Sequence, residues 1–172
     1  MKKISFFLIL SKIVLGLTFL FSGFVKSVDV YGTTFKIVDY FHAFHLDIFQ
    51  PLSKLLAFGI VGFEFLLGIL IIIGIYAKVV SKLVISIVFF MMLLTLYIAL
   101  FNNVEDCGCF GDVLILSNWA TFFKNIVLLI FAFIFVIYHR LVIPLFSIKI
   151  RKYVLRYSFI SVSYTHLTLP TT

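Results

Sequence analysis

Four long apolar runs constrain this chain more than any other feature. They cover about Ile4 to Phe24, Leu52 to Tyr76, Val79 to Phe101 and Trp119 to Tyr138. A helix rises 1.5 Å per residue, so each run is long enough to cross a hydrocarbon core of about 30 Å. In lipid the backbone must satisfy its own hydrogen bonds, so spans of this length are helices. Composition agrees. Of the 172 residues, 63% are hydrophobic and only 12% are charged. Soluble domains carry roughly 25% charged residues, and this chain has too little polar surface to coat a water-soluble globule. The expected fold is an all-α integral membrane protein, with neighbouring helices antiparallel in a four-helix transmembrane bundle.

Met1-Lys2-Lys3 ahead of the first run resembles the opening of a signal peptide. The run is long enough to span, Lys12 interrupts it and no small-x-small cleavage site follows, so it reads as a retained helix. The net charge of +7 is not a nucleic-acid signal, because the cations sit in short runs beside apolar segments. Anionic lipids explain them more simply.

Charge also orients the bundle. With the N-terminus inside, Lys2, Lys3, Lys78, Lys82, Arg140, Lys149, Arg151, Lys152 and Arg156 face the cytoplasm, unaccompanied by any carboxylate. The outer side receives Lys26, Lys36, Lys54 and Lys124 together with Asp29, Asp39, Asp47, Glu105, Asp106 and Asp112. Nine cations against four follow the positive-inside rule. The expected location is a bacterial inner membrane, with the loop between the third and fourth spans in an oxidising, extracytoplasmic compartment.

That loop holds both cysteines, Cys107 and Cys109, within Asp106-Cys107-Gly108-Cys109-Phe110-Gly111-Asp112. A disulfide across a single residue lies far from the preferred dihedral, and strained bridges are the exchangeable ones. Gly108 permits the tight turn and Gly111 a second one. Glu105 and Asp106 disfavour a thiolate by like-charge repulsion. Three uses remain open: thiol chemistry, a static pair, or metal binding. His42 and His45, at i,i+3 spacing in the other outer loop, would complete a tetrahedral site with the two cysteines. Nothing in the sequence brings the two loops together.

Lys12 lies in the first span and Glu64 near the middle of the second. A charge at the bilayer centre costs on the order of 3 kcal/mol on insertion scales and needs a partner or a role. The expected arrangement is a Lys12–Glu64 pair between antiparallel helices, or a carboxylate that handles protons beside a quinone. On the first helix, Lys12, Gly16, Phe19, Gly23 and Lys26 share one face, and the glycines admit a close neighbour. In the first outer loop, Thr33 and Thr34 are expected to cap a short interfacial helix reaching about Phe44, with Phe35, Ile37, Val38 and Phe41 as its apolar side.

Beyond residue 140 the pattern breaks. Pro144 ends the fourth helix. The segment 141–161 reads as a basic cytoplasmic stretch and the start of a fifth helix that stops too soon to cross. Residues 162–172 resemble the translation of a sequencing adapter, so a non-native tail and a truncated natural chain are expected there. His166 is accordingly given no role.

Gly16-Leu-Thr-Phe-Leu-Phe-Ser-Gly-Phe-Val-Lys-Ser-Val-Asp29 resembles the first-helix signature of the DoxX-like membrane proteins. Phe35, Ile37, Tyr40, Glu64 and the Cys107-Gly-Cys-Phe-Gly111 element resemble the methylamine-utilisation protein MauE branch of that group. The resemblance spans about Ile4 to Tyr138 and implies one membrane domain over residues 1–140. It departs at Lys12, where the pattern usually carries arginine, and the two cations are not interchangeable in a buried pair. The resemblance implies extracytoplasmic thiol–disulfide exchange or quinone-linked electron transfer. Cys107 and Cys109 would then be the reacting residues, and Asp106, Gly108, Phe110 and Gly111 their supporting loop. A membrane quinone would accept electrons, and an extracytoplasmic thiol protein or a fused outer domain would be the partner. The rival expectations are a non-catalytic membrane subunit or maturation factor, as in methylamine utilisation, and outer-face metal handling.

Overall fold

The computed structural model describes residues 2–101, 108, 117–142 and 144, and within these every regular element is a helix. The long helices are α1 (Lys2–Val28), α2 (Val30–Ala43), α3 (Ser53–Ile73), α4 (Ala77–Phe101) and α5 (Asn118–Tyr138). Four of them, all but α2, are long and apolar enough to cross a membrane. The expected spans are therefore present, with α1 running four residues further than hydropathy alone suggests. Side chains such as Phe24, Phe63, Phe90, Phe123 and Phe133 point outward, as lipid-facing positions should.

The breaks between helices have local causes. Asp29 caps α2, its carboxylate accepting from the Gly32 N–H at 2.8 Å. Thr33 and Thr34 sit inside that helix, where their hydroxyls donate to the carbonyls of Asp29 (3.1 Å) and Val30 (2.8 Å). The cap thus comes four residues earlier than expected, because a carboxylate directly after α1 is available to accept. Gly74 ends α3 with φ of 78°, a left-handed position that favours glycine. Ser117 opens α5, accepting from the Ala120 N–H at 3.3 Å.

The bundle is two antiparallel pairs, α1 with α3 and α4 with α5, with α1 also touching α5. Glycine sets the first pair. A Cβ at Gly23 would stand 2.7 Å from the Phe65 nitrogen, and one at Gly68 would stand 2.6 Å from the Leu20 nitrogen. Backbone meets backbone there, as small residues permit in membranes. Gly16 lies against Ile72. In all three contacts the paired numbers sum to 88, which fixes one register for the pair. By that register α1 would have to reach residue 35 to stand level with Ser53. It stops at Val28, and α2 crosses the remaining part of α3 instead. Phe35, expected on the apolar side of α2, is 67% exposed, whereas Val30 and Thr33 are buried. Ile37, Val38 and Phe41 are half-buried.

The two ends of the bundle differ. At one end lies the tight turn from α3 to α4; at the other α1 and α4 finish and α3 and α5 begin. We call these the turn end and the loop end. Toward the turn end the core is apolar, with Leu15, Ile71, Val84, Ala132 and Phe135 all fully buried.

A buried charge cluster at the loop end

Glu64 lies eleven residues into α3 and is buried. Its carboxylate accepts from Lys26 Nζ at 2.8 Å and 2.9 Å, and from Ser22 Oγ at 2.8 Å. Ser22 and Lys26 are one turn apart on α1, so a single helix face supplies both donors. The lysine and carboxylate side chains are 7% and 12% exposed, so this is an interior ion pair rather than a rim contact. With both partners present and additional hydrogen bonding, the desolvation cost is offset; removing either one leaves a lone buried charge.

The expected Lys12–Glu64 pair is therefore corrected. Lys12 lies fourteen positions before Lys26 on α1, roughly 21 Å along the axis at 1.5 Å per residue. The register places it level with residue 76, beyond the end of α3. Counting residues from hydropathic boundaries put the two charges at similar depth, but glycine contacts decide the depth. Lys26 was assignable from the same glycine face, three positions after Gly23, once α1 was extended past Phe24.

Two further helices face the pair. The Asn125 amide on α5 donates to Thr95 Oγ1 at 3.1 Å and to the Met91 carbonyl at 3.3 Å, tying α5 to α4. Lys124, half-buried on α5, lies within Coulombic reach of both Lys26 and Glu64. Lys26 and Lys124, counted with the outer side in the sequence, lie within the apolar spans Phe6–Val28 and Asn118–Leu141, toward the loop end. A cavity of ≈ 70 Å³ opens among Thr18, Ser22, Lys26, Glu64, Met91, Lys124 and Asn125. It lies between the two helix pairs. A cavity of about 150 Å³ holds one benzene ring, so this one has room for a few waters or a small ion.

Cys107, Cys109, Asp106, Phe110 and Gly111 lie outside the described residues. Gly108 between the cysteines is described, with φ of 60°, a left-handed value that favours glycine. A Cβ there would stand 3.1 Å from Lys36 Cγ on α2. The expected fifth-helix start and the tail, residues 145–172, also lie outside the described residues.

The histidine face expected for a metal does not form. His45 follows the end of α2 with φ of 56°, so it does not continue the helical face of His42. His42 Nδ1 lies 2.6 Å from Asp47 Oδ1, and its Nε2 lies 3.1 Å from Gln50 Nε2. Both ring nitrogens are thus engaged. Among the described residues no group of three or more His, Cys, Asp or Glu side chains is placed to hold a metal ion.

The family model described as methylamine utilisation protein MauE matches residues 4–138. This chain belongs to the MauE family. The match starts within α1 and ends with α5, so it takes in both helix pairs, the charge cluster and the cysteine loop. No curated protein and no solved structure matches the chain. The MauE description links the chain to methylamine utilisation as a membrane protein and leaves its chemistry to be argued from its residues.

Proposed function

We propose that this MauE family member supports thiol–disulfide exchange at the extracytoplasmic face of a bacterial inner membrane, with its N-terminus in the cytoplasm. Cys107 and Cys109 alternate between disulfide and dithiol. In the forward step their disulfide accepts two electrons and two protons from the dithiol of an outer thiol protein, whose sulfurs join as a disulfide. Re-oxidation passes the two electrons and two protons on to an acceptor of the quinone class, which becomes the quinol, and restores the disulfide.

The observation that carries this reading is the backbone of Gly108. Its left-handed φ is what a tight turn between two cysteines requires, and Gly108 rests on the Lys36 side chain rather than standing clear of the bundle. Charge distribution supports the outer location of the loop. A second reading is favoured by the Lys26–Glu64–Ser22 cluster, whose polar groups are well paired and serve packing: a non-catalytic subunit or maturation factor with a fixed cysteine pair.

Trapping the thiols in whole cells distinguishes the two. After a brief reductant pulse, the exchange reading expects a mixed dithiol and disulfide population that recovers its disulfide, and recovers more slowly when respiration is inhibited. A membrane-impermeant maleimide should label the reduced cysteines from outside. A pair that stays fully oxidised throughout, with a Cys109→Ser variant that complements completely, would leave only the second reading.

A further inference from the structure

Asn125 on α5 is only 3% exposed, yet its hydrogen bonding is incomplete. Its amide nitrogen donates to Thr95 Oγ1 and to the Met91 carbonyl, which uses both N–H bonds. Its carbonyl oxygen, Oδ1, accepts from no donor among the described residues. A buried acceptor in that position is costly and calls for a donor. Asn125 lines the cavity between the two helix pairs, and two further acceptors border the same space. Thr18 Oγ1 on α1 donates to the Val14 carbonyl of its own helix and keeps its lone pairs. On α3, Glu64 Oε1 receives Lys26 Nζ alone, whereas Oε2 receives both Lys26 and Ser22.

We infer that this cavity is a hydration site, in which a small cluster of ordered water donates to Asn125 Oδ1 and bridges α5 to the Glu64 carboxylate on α3. One water needs about 10–15 Å³ and two to four polar partners. The volume of ≈ 70 Å³ therefore admits a few, and Asn125, Thr18 and Glu64 supply acceptors on three helices. Water suits the site because it donates to these oxygens and also accepts from a neighbouring ammonium. A lipid or detergent tail offers no donor and would leave Asn125 Oδ1 unmet. The consequence is a contrast in how the bundle is joined. Each helix pair is held internally by direct contacts, while at the loop end the two pairs also meet through water, and the Lys26–Glu64 ion pair is hydrated. Neither the charge of Lys124 nor the state of the cysteines enters.

Two adjacent methionines on α4 supply the test. Met91 and Met92 are both half-buried, and only Met91 is among the cavity's lining residues. The full chain in lipid nanodiscs is exposed to brief X-ray pulses, which make hydroxyl radicals from water where it sits, and sulfoxide at each methionine is read by tandem mass spectrometry. Met91 should oxidise several-fold faster than Met92. Equal, slow oxidation of the two would mean a dry cavity and overturn the proposal. Asn125→Leu, similar in size but without the acceptor, should bring the Met91 rate down toward that of Met92. An unchanged Met91 rate in a folded Asn125→Leu chain would overturn the anchoring by Asn125. A second measurement needs no variant: in the natural chain, nuclear magnetic resonance should show cross-relaxation from long-lived water to the Asn125 side-chain amide protons, and its absence would equally overturn the site. Failure of the thiol-trapping experiment leaves these results unaffected, because neither measurement uses the other's residues.

Discussion

The turn end and the loop end of the same bundle are held by different physics. At the turn end, Ile71, Val84, Ala132 and Phe135 fill the interior with apolar volume. The buried hydroxyls there, Ser11 and Ser81, are satisfied by carbonyls of their own helices, Phe7 and Lys78. At the loop end, charge and amide contacts join the helices: Lys26 to Glu64 across α1 and α3, and Asn125 to Thr95 across α5 and α4. Lipid tails are as apolar as any core, so packing in the membrane relies on shape and polar contacts rather than on a hydrophobic drive. The loop end adds directional contacts to the glycine-set packing and leaves a charged space between the two helix pairs.

Three substitutions probe that contrast, each read by unfolding in mixed micelles. Lys26→Met should have the largest effect, a loss of about 3–5 kcal/mol, because it strands the Glu64 carboxylate in the interior. Adding Glu64→Leu should recover most of the loss. A cost below about 1 kcal/mol for the single change would mean that charge does not hold the loop end. Ile71→Ala at the turn end should cost about 2–4 kcal/mol from lost packing and a residual cavity. No compensating change of polarity at a neighbour should rescue it. Thr95→Val should cost the least, about 1 kcal/mol, since Asn125 loses one acceptor and keeps the Met91 carbonyl. A larger loss than that of Ile71→Ala would reverse the assignment of the two ends.

The membrane spans were readable because run length and hydropathy are properties of a single segment. Depth between segments was not, since it depends on which side chains are missing at the contact. Lys12 and Glu64 each looked central in their own run, yet the glycine register separates them and brings Lys26 to the carboxylate. The small residues that set this register, Gly16 and Gly23, were visible on one face, and Lys26 shares that face. Asp29 as the α2 cap was readable in principle, being a carboxylate three residues before the N–H it accepts. Lys124 was not assignable to the cavity from sequence. Its placement depends on how the α4–α5 pair docks on the α1–α3 pair, and no periodicity within a single helix reports that.

The glycine-locked register has a mechanical consequence. Backbone contact at Gly23 and Gly68 leaves α1 and α3 little freedom to slide past one another. A span that meets a thicker or thinner bilayer accommodates by tilting. Here the α1–α3 pair must tilt as one body, and the strain falls on its junction with α4 and α5. The cavity lies at that junction, so a change of bilayer thickness is expected to alter its width before it alters the α1–α3 contact.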